Sequence, residues 1–307
     1  MKLSVIIPTR DRGAVFDQTL GCAVDAIKHL DAEIIAVNDS TIASPSLPVA
    51  TSGIRLMQNN GRGVAAARNL GAKEATGEML LFLDDDVLIT RASLAHTLTV
   101  HSQHPGIALN PDWTYPPEQI KSLHRTAFGR FLLARNLTTF KGWYSHPGWQ
   151  ENALFESASV ASFHLSVLRA DFIKSGGYDE KFPFAGFEDY DFPLRLKDAG
   201  VKFRIDTRIA VYHNEADRLL LPAWLDSQER RSVTRAVAVH RGYRHLAIQY
   251  SASKKLLLTM LLGVYRVALG VLQNIPNVGW LDRLAFAGIG YLQAAKIYRG
   301  YLRGLKR

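Results

Sequence analysis

Four apolar residues, Leu80-Leu81-Phe82-Leu83, run directly into three carboxylates, Asp84-Asp85-Asp86, and then Val87. An uninterrupted apolar run of this length reads as a strand buried on both faces. Such strands belong to sheets covered by helices, which selects an α/β class. The carboxylates then fall at the strand's C-terminal end, where open α/β sheets bind their ligands. Three adjacent anions repel one another unless something cationic satisfies them. One reading is a solvated acidic turn, since exposed charges are ordinary. The other is a site for a divalent cation carrying a phosphate, because hard oxygen ligands suit Mg²⁺ or Mn²⁺.

The flanking chain continues the α/β pattern. Leu3 to Ile7 is an apolar, β-branched strand ended by Pro8. Residues 13–30 carry a helical pattern, with Val15, Leu20, Ala23, Ile27 and Leu30 on or near one face. Glu33 to Val37 is the next strand, closed by Asn38-Asp39-Ser40, and a Pro/Ser-rich loop occupies 44–48. A short strand at 54–57 precedes Gly61-Arg62-Gly63, which opens a helix through Gly71. This βαβαβ rhythm predicts a largely parallel sheet covered by helices. There is no internal repeat and no low-complexity tract. A single cysteine, Cys22, excludes an internal disulfide and a Cys-based zinc site, in keeping with a reducing compartment. The N-terminus has no long apolar stretch and no small-residue cleavage site, so no secretion signal is expected.

Several segments together resemble family 2 glycosyltransferases. They are Ser4-Val5-Ile6-Ile7-Pro8-Thr9-Arg10, Val37-Asn38-Asp39-Ser40, Gly61 to Asn69, Phe82 to Asp86, and Gly176-Gly177-Tyr178-Asp179-Glu180 followed by Gly186-Phe187-Glu188-Asp189-Tyr190-Asp191. The resemblance covers roughly residues 3–215. It implies a GT-A fold, a Rossmann-like, mostly parallel sheet flanked by helices. It also implies a nucleotide-diphospho-sugar donor, a divalent metal (Mn²⁺ or Mg²⁺) and inversion at the anomeric carbon. The domain expected is residues 1–217, with a nucleotide-sugar-binding half at 1–110 and an acceptor-side half at 111–217.

The same resemblance implies site residues. Pro8, Thr9, Arg10, Asp39, Gly63, Arg68, Asp84 and Asp85 are expected around the nucleotide-sugar. Asp39 would accept a hydrogen bond from the base, typically uracil, although a turn or cap Asp suits Asn-Asp-Ser-Thr equally well. Asn38 stands where the family often has another Asp, which weakens the assignment of the base. Arg68 either reaches the diphosphate or is an exposed helix residue. Asp84 and Asp86 are alternate residues, so on an extended segment they point the same way, towards a metal. Asp85 would then point elsewhere, towards the ribose. His213, ending an apolar stretch from Ile205 to Tyr212, is the third metal ligand by resemblance. A lone His is otherwise most often structural or solvent-exposed.

Glu188 and Asp189 are the catalytic candidates. An inverting transfer needs a base for the acceptor hydroxyl and charge stabilisation on the departing diphosphate. By resemblance Asp189 is that base, at the start of a helix over Tyr190–Ala199, with Glu188 contacting the acceptor or orienting the helix. Carboxylates favoured at a helix N-terminus by the macrodipole are the competing account. That account does not explain Gly176, Gly177 and Gly186, which suit close backbone approach to a ligand. Trp143 and Trp149, in the Gly/Pro/aromatic stretch 141–151, either face a sugar acceptor or anchor a long loop.

Charge is unevenly distributed. Residues 218–307 carry 15 Lys and Arg against 3 Asp and Glu, a net of +12, whereas residues 1–217 carry 22 against 25, a net of −3. Residues 256–272 contain one charge, Arg266, and Lys255, Thr259, Arg266 and Gln273 form a narrow polar stripe at helical spacing. Lys296, Arg299, Arg303 and Lys306 make a basic face, with Ile297, Tyr301 and Leu305 opposite. Both patterns fit a helical appendage on an anionic membrane surface. A helical appendage or homo-oligomer interface is the alternative. The expected protein is a metal-dependent inverting glycosyltransferase, cytoplasmic and peripheral to the inner face of the cell membrane. It would take a UDP-sugar, or a dTDP- or GDP-sugar, to a glycan or glycolipid acceptor in cell-envelope glycan synthesis. A polyprenyl-phosphate acceptor is the nearest enzymatic alternative. A nucleic-acid-binding protein and a non-catalytic nucleotide-sugar scaffold are the others; few aromatic-basic clusters support nucleic acid.

Overall fold

The structure is a computed structural model describing residues 2–42, 53–144, 148–182, 185–215, 219–276 and 278–307. The Pro/Ser-rich loop at 44–48 lies outside these residues. The chain opens with β1 (Leu3–Thr9), α1 (Gly13–Ile27), β2 (Ala32–Asn38), β3 (Ile54–Gln58), α2 (Val64–Glu74) and β4 (Met79–Leu83). It continues with β5 (Val87–Leu88), α3 (Arg91–Gln103) and β6 (Ile107–Thr114), then three short helices, α4 (Pro117–Leu123), α5 (Ala127–Ala134) and α6 (Phe140–Tyr144). Next come β7 (Leu154–Glu156), β8 (His164–Leu168), α7 (Arg169–Lys174), α8 (Glu188–Asp198) and β9 (Lys202–His213). Four helices end the chain: α9 (Leu221–His240), α10 (Ala252–Gly263), α11 (Tyr265–Gln273) and α12 (Asp282–Gly304).

Two compact units result. The first holds Met1–Thr114, His146–Pro183 and Glu188–Asn214; the second holds Tyr115–Ser145, Phe184–Phe187 and Glu215–Arg307. The acceptor-side stretch 111–217 is therefore divided between the units, and the tail from residue 218 is one part of a larger helical unit.

The first unit is built on one sheet in the order β3-β2-β1-β4-β8-β6-β9-β5, with β7 also pairing β9. β1 pairs parallel with β2 and β4, and β2 with β3. β8 runs antiparallel to both β4 and β6, and β6 is parallel to β9. All five residues of β4 and all seven of β1 are buried, as continuous apolar runs covered on both faces require. Phe82, Leu80 and Ile6 pack there with Phe172, Tyr178 and Phe192. α1 buries Phe16, Thr19, Leu20, Ala23 and Ala26, one helical face. It stops at Ile27 rather than running to residue 30, because Lys28 (ψ 129°) and His29 (φ 70°) form a turn that the Leu30 N–H closes on the Ile27 carbonyl, leaving Leu30 exposed.

In the second unit, Phe131 on α5 meets Trp224 on α9 edge-on and Phe286 on α12 in the same way, with centroids 5.8 and 5.6 Å away. Arg130 clamps Asp282 through Nε and Nη2 at 2.8 and 2.7 Å. α12 lies close along α9 at Gly300, where a Cβ would fall 2.2 Å from the Glu229 carbonyl oxygen. Three residues of the expected basic face of α12 are salt-bridged to α9: Lys296 is buried and meets Glu229 at 2.7 Å, and the partly exposed Arg299 and Arg303 bond the same carboxylate. Residues 256–272 form two helices, not one, broken at Val264.

Candidate functional site

The ends of β1, β2 and β4 converge with the start of α8, and the charged residues there form one connected network. The aspartate triplet is a turn, not an extended segment: the Val87 N–H donates to the Asp84 carbonyl at 3.1 Å, closing the link from β4 to β5. Alternation therefore does not set the side-chain directions. The Thr19 hydroxyl of α1 donates to the Asp85 carbonyl at 2.9 Å and fastens the turn.

Each aspartate takes its own partner. Asp84 Oδ1 accepts from Arg68 Nη2 at 2.7 Å. Asp85 accepts from the Arg10 backbone N–H at 3.4 Å and from the Thr9 hydroxyl, and lies 3.6 Å from Arg12 Nε. Asp86 Oδ2 accepts from Arg12 Nη2 at 2.7 Å, and its Oδ1 faces His213 Nε2 at 3.1 Å. The antiparallel pairing of β5 with β9, Val87 opposite His213, places that imidazole. Trp113 and Phe163 pack edge-on against its ring at 5.1 and 6.4 Å.

Arg68 is the hub, buried and not an exposed helix residue. Besides Asp84 it reaches Glu188 Oε1 at 3.3 Å and Asp189 Oδ1 at 3.6 Å, with its guanidinium 5.2 Å from the Tyr178 ring centre. Burial works against its charge, yet Asp84 and Asp189 outweigh it and hold its pKa well above the usual value. Asp84 is nonetheless raised, first by burial and then, against the pull of Arg68, by Asp86 and Asp189. Asp85 is raised by burial and by Asp86. The arginines thus leave a surplus of negative charge, and added positive charge would stabilise the site.

The nucleotide-side candidates form a neighbouring cradle. Asp39, buried at the end of β2, accepts on Oδ1 from Asn59 Nδ2 and from the Gly63 N–H at 3.0 Å. Its Oδ2 lies 3.5 Å from Arg10 Nη1. Gly63 precedes α2 at φ 99°, a conformation that favours glycine. Pro8 and Thr9 continue β1, opposite Val37 and Asn38.

On the far side, the Gly176-Gly177-Tyr178 loop is tied to α2. Asn69 Nδ2 donates to the Tyr178 carbonyl at 2.8 Å and to Glu180 at 2.9 Å, while the Tyr178 N–H donates to Asn69 Oδ1. Gly177, at φ 68°, has no room for a Cβ, which would fall 2.8 Å from Asn69 Oδ1. This loop lines a cleft of about 500 Å³ with Asn69, Asp191 and Arg195. α8 begins at Glu188, two residues before the expected start, so Asp189 is its second residue. Glu188 is buried, while the Asp189 side chain is 35% exposed and its Oδ1 accepts no hydrogen bond. Trp149 packs against Phe155 at 5.6 Å and donates to Glu151, as a loop anchor does. The Trp143 side chain lies outside what is described.

Two residues of the network, Arg12 and Asn59, escaped the sequence reading. Asn59 carried no motif signal. Arg12 did: an arginine three positions past the first strand, in a chain with three adjacent aspartates, is a candidate counter-ion. Asp86 and His213 offer ligand atoms within 4.8 Å of each other, a carboxylate oxygen with an imidazole nitrogen. That donor set suits Mn²⁺ and related divalent ions, and the residual negative charge fits such an ion.

A model of glycosyl transferase family 2 matches residues 4–172. Among curated relatives, the O-antigen biosynthesis protein RfbC of Myxococcus xanthus is 23% identical over 234 residues, which cover 70% of this chain and 17% of the relative. Validoxylamine A glucosyltransferase of Streptomyces hygroscopicus subsp. jinggangensis is 27% identical over 229 residues, covering 66% of this chain and 53% of the relative. The chain thus spans about half, or less, of the length of these relatives. Among solved structures, the mannosyltransferase PcManGT from Pyrobaculum calidifontis, in complex with GDP-Man and Mn²⁺, superposes with a TM-score of 0.54 at 15% identity. The match covers 97% of this chain and 86% of that one, and it shows the GT-A fold.

Proposed function

Because the chain belongs to glycosyl transferase family 2, we propose that it moves a sugar from a nucleotide-diphospho-sugar to a hydroxyl of a glycan or glycolipid acceptor, with inversion, in cell-envelope glycan synthesis. The observation that carries this reading is the convergence on Arg68 of Asp84, from the end of β4, with Glu188 and Asp189, from the start of α8. A donor-side acid and an acceptor-side acid thereby share one guanidinium.

The transfer is a single displacement. The acceptor oxygen forms a bond to the anomeric carbon as the bond from that carbon to the diphosphate oxygen breaks, and the electron pair leaves with the diphosphate. Asp189, whose side chain is 35% exposed, takes the hydroxyl proton through Oδ2, because Oδ1 is buried on the Arg68 side. Arg68 and the start of α8 hold that carboxylate in place. Glu188, buried against Arg68, fixes the guanidinium rather than meeting the acceptor. Asp86 and His213, with Asp84, would hold a divalent cation, Mn²⁺ or Mg²⁺, which when bound neutralises charge on the diphosphate. Asp39 Oδ2 offers an acceptor to a base N–H, and a UDP-sugar is the donor we favour. The GDP-Man in the mannosyltransferase structure makes a GDP-sugar the competitor to test.

Screening UDP-, dTDP- and GDP-sugars by thermal shift, with and without MnCl₂, identifies the donor through the stabilisation that binding confers. With that donor, Asp189→Asn is expected to cut turnover by about 10²–10⁴-fold while leaving donor affinity nearly unchanged, the scale of losing a general base. Loss of donor binding with turnover at saturation intact would place Asp189 in the nucleotide site and overturn the assignment.

A further inference from the structure

The second unit leaves an apolar surface uncovered. α10 is fastened to α12 by one face: Leu258 packs with Ala295 and Tyr298, and Leu261 and Leu262 lean on the same cluster. Its other face exposes Leu256, Leu257 and Met260 at 64, 48 and 63%. α11 buries nothing, and Val264, Val267 and Val271 continue the exposed stripe at 53, 71 and 60%. Spacings of three and four residues keep each set on one side of its helix, and the two stripes meet at Val264. Trp280, after α11, is 80% exposed. Soluble monomers rarely leave contiguous apolar patches beyond a few hundred Å² without a partner.

The chemistry of that partner follows from charge and length. Between Glu229 and Asp282 there is no acidic residue, and Asp282 is the last one in the chain. Lys254, Lys255, Arg266 and Arg283 are exposed beside the apolar stripe. A second copy of the chain would bring like charge against like. An anionic bilayer presents opposite charge above an apolar interior. No single helix among the described residues is long and apolar enough to cross a membrane. α10 and α11 pass a test of length and composition only together, and they are bent by 68° at their junction. Twelve and nine residues reach about 18 and 14 Å at 1.5 Å per residue, well short of a hydrocarbon core of about 30 Å.

We propose that the bent pair α10–α11, with Trp280, is a monotopic anchor that lies in the interface of an anionic bilayer, its apolar stripe in the acyl boundary and Lys254, Lys255 and Arg266 at the headgroups. This places the membrane face on α10 and α11 rather than on the Lys296, Arg299 and Arg303 face of α12, which bonds Glu229, and it does not depend on the transferase reading.

The test is flotation of the full chain with vesicles of phosphatidylcholine alone or containing phosphatidylglycerol, across salt. Wild type is expected to float with the anionic vesicles, less so as salt rises. Lys254→Gln/Lys255→Gln should weaken that partition roughly tenfold or more, on the scale of two surface cations. Leu257→Asp/Val267→Asp, at positions that face solvent, should abolish it with an unchanged circular dichroism spectrum. A second readout needs no folded variant: brominated acyl chains should quench wild-type tryptophan emission, and Trp280→Phe should remove that component. Wild type that stays with the soluble fraction, an aspartate variant that floats as wild type does, or absence of quenching would overturn the anchor. So would a wild-type dimer in sedimentation that the aspartate variant dissociates while vesicles bind neither protein.

Discussion

Arg68→Met tests the site network at its hub. Methionine keeps much of the side chain's volume, so the change is chiefly one of charge. The guanidinium lies 2.7, 3.3 and 3.6 Å from Asp84, Glu188 and Asp189, and its side chain is 3% exposed. Glu188 is 1% exposed, and without Arg68 it loses a buried counter-ion. Removing one partner from a buried ionic cluster costs about 3–5 kcal/mol, because the remaining charges stay desolvated. With a urea dependence of roughly 2 kcal/mol per M, the midpoint should fall by about 1.5–2.5 M. The pH response has a definite sign. Unpaired carboxylates have folded pKa values above their unfolded ones, so the folded variant gains stability as pH falls and they protonate. The deficit against wild type should therefore shrink between pH 8 and pH 5. Urea titrations of both proteins at the two pH values measure it. A deficit below about 1 kcal/mol, or one that is the same at both values, would refute a buried charge hub.

Asp86→Ala should remove the rise in melting temperature produced by MnCl₂; an unchanged metal response places the ion elsewhere. Phe131→Ala should destabilise the second unit by about 3–5 kcal/mol, the usual cost of deleting a buried aromatic ring, and a melt indistinguishable from wild type would contradict its contacts with Trp224 and Phe286. A chain ended near residue 217 removes those two partners as well, and should expose Phe131 and aggregate. Burial pushes the pKa of both His101 and His164 down to about 4, while unfolded histidine titrates near 6.5. The unfolded chain therefore binds more protons between these values, and stability should fall as pH drops from 6.5 to 4 by about 1.4 kcal/mol per unit per histidine. His101→Gln should remove one proton's worth of that slope, and an identical slope in the variant would count against the burial.

The strands were legible because burial on both faces writes itself as consecutive apolar residues, as in Met79–Leu83 and Leu3–Ile7. Helix ends were less so. α1 stops where His29 adopts a left-handed backbone, which no apolar periodicity reports. The acids of the site were also legible, since Asp84-Asp85-Asp86 and Glu188-Asp189 stand side by side in the sequence. Their counter-ions were not. Arg12 is 74 residues from Asp86 and Arg68 is 120 from Glu188, so only the fold brings them together. The backbone of the aspartates was misread for a local reason: an extended segment was assumed where the Val87 N–H closes a turn on Asp84.

The tail shows the same limit from the other side. A net charge of +12 over residues 218–307 reads as a strongly basic surface, but a charge count does not say which charges face outward. Glu229 alone gathers Lys296, Arg299 and Arg303, and that contact with three cations holds its own pKa down to about 2 against the effect of burial. The arginine clamp on Asp282 likewise binds a charge within the unit. Those pairs fix α12 on α9 and α5, and Gly300 allows the helices to approach closely enough for them to form. Exposed Lys254, Lys255 and Arg266 lie on the helices that also leave their apolar stripe uncovered. Coincidence of unburied apolar surface and solvent-facing charge on α10 and α11, rather than total charge, is what distinguishes a membrane-facing element from a salt-bridged strut.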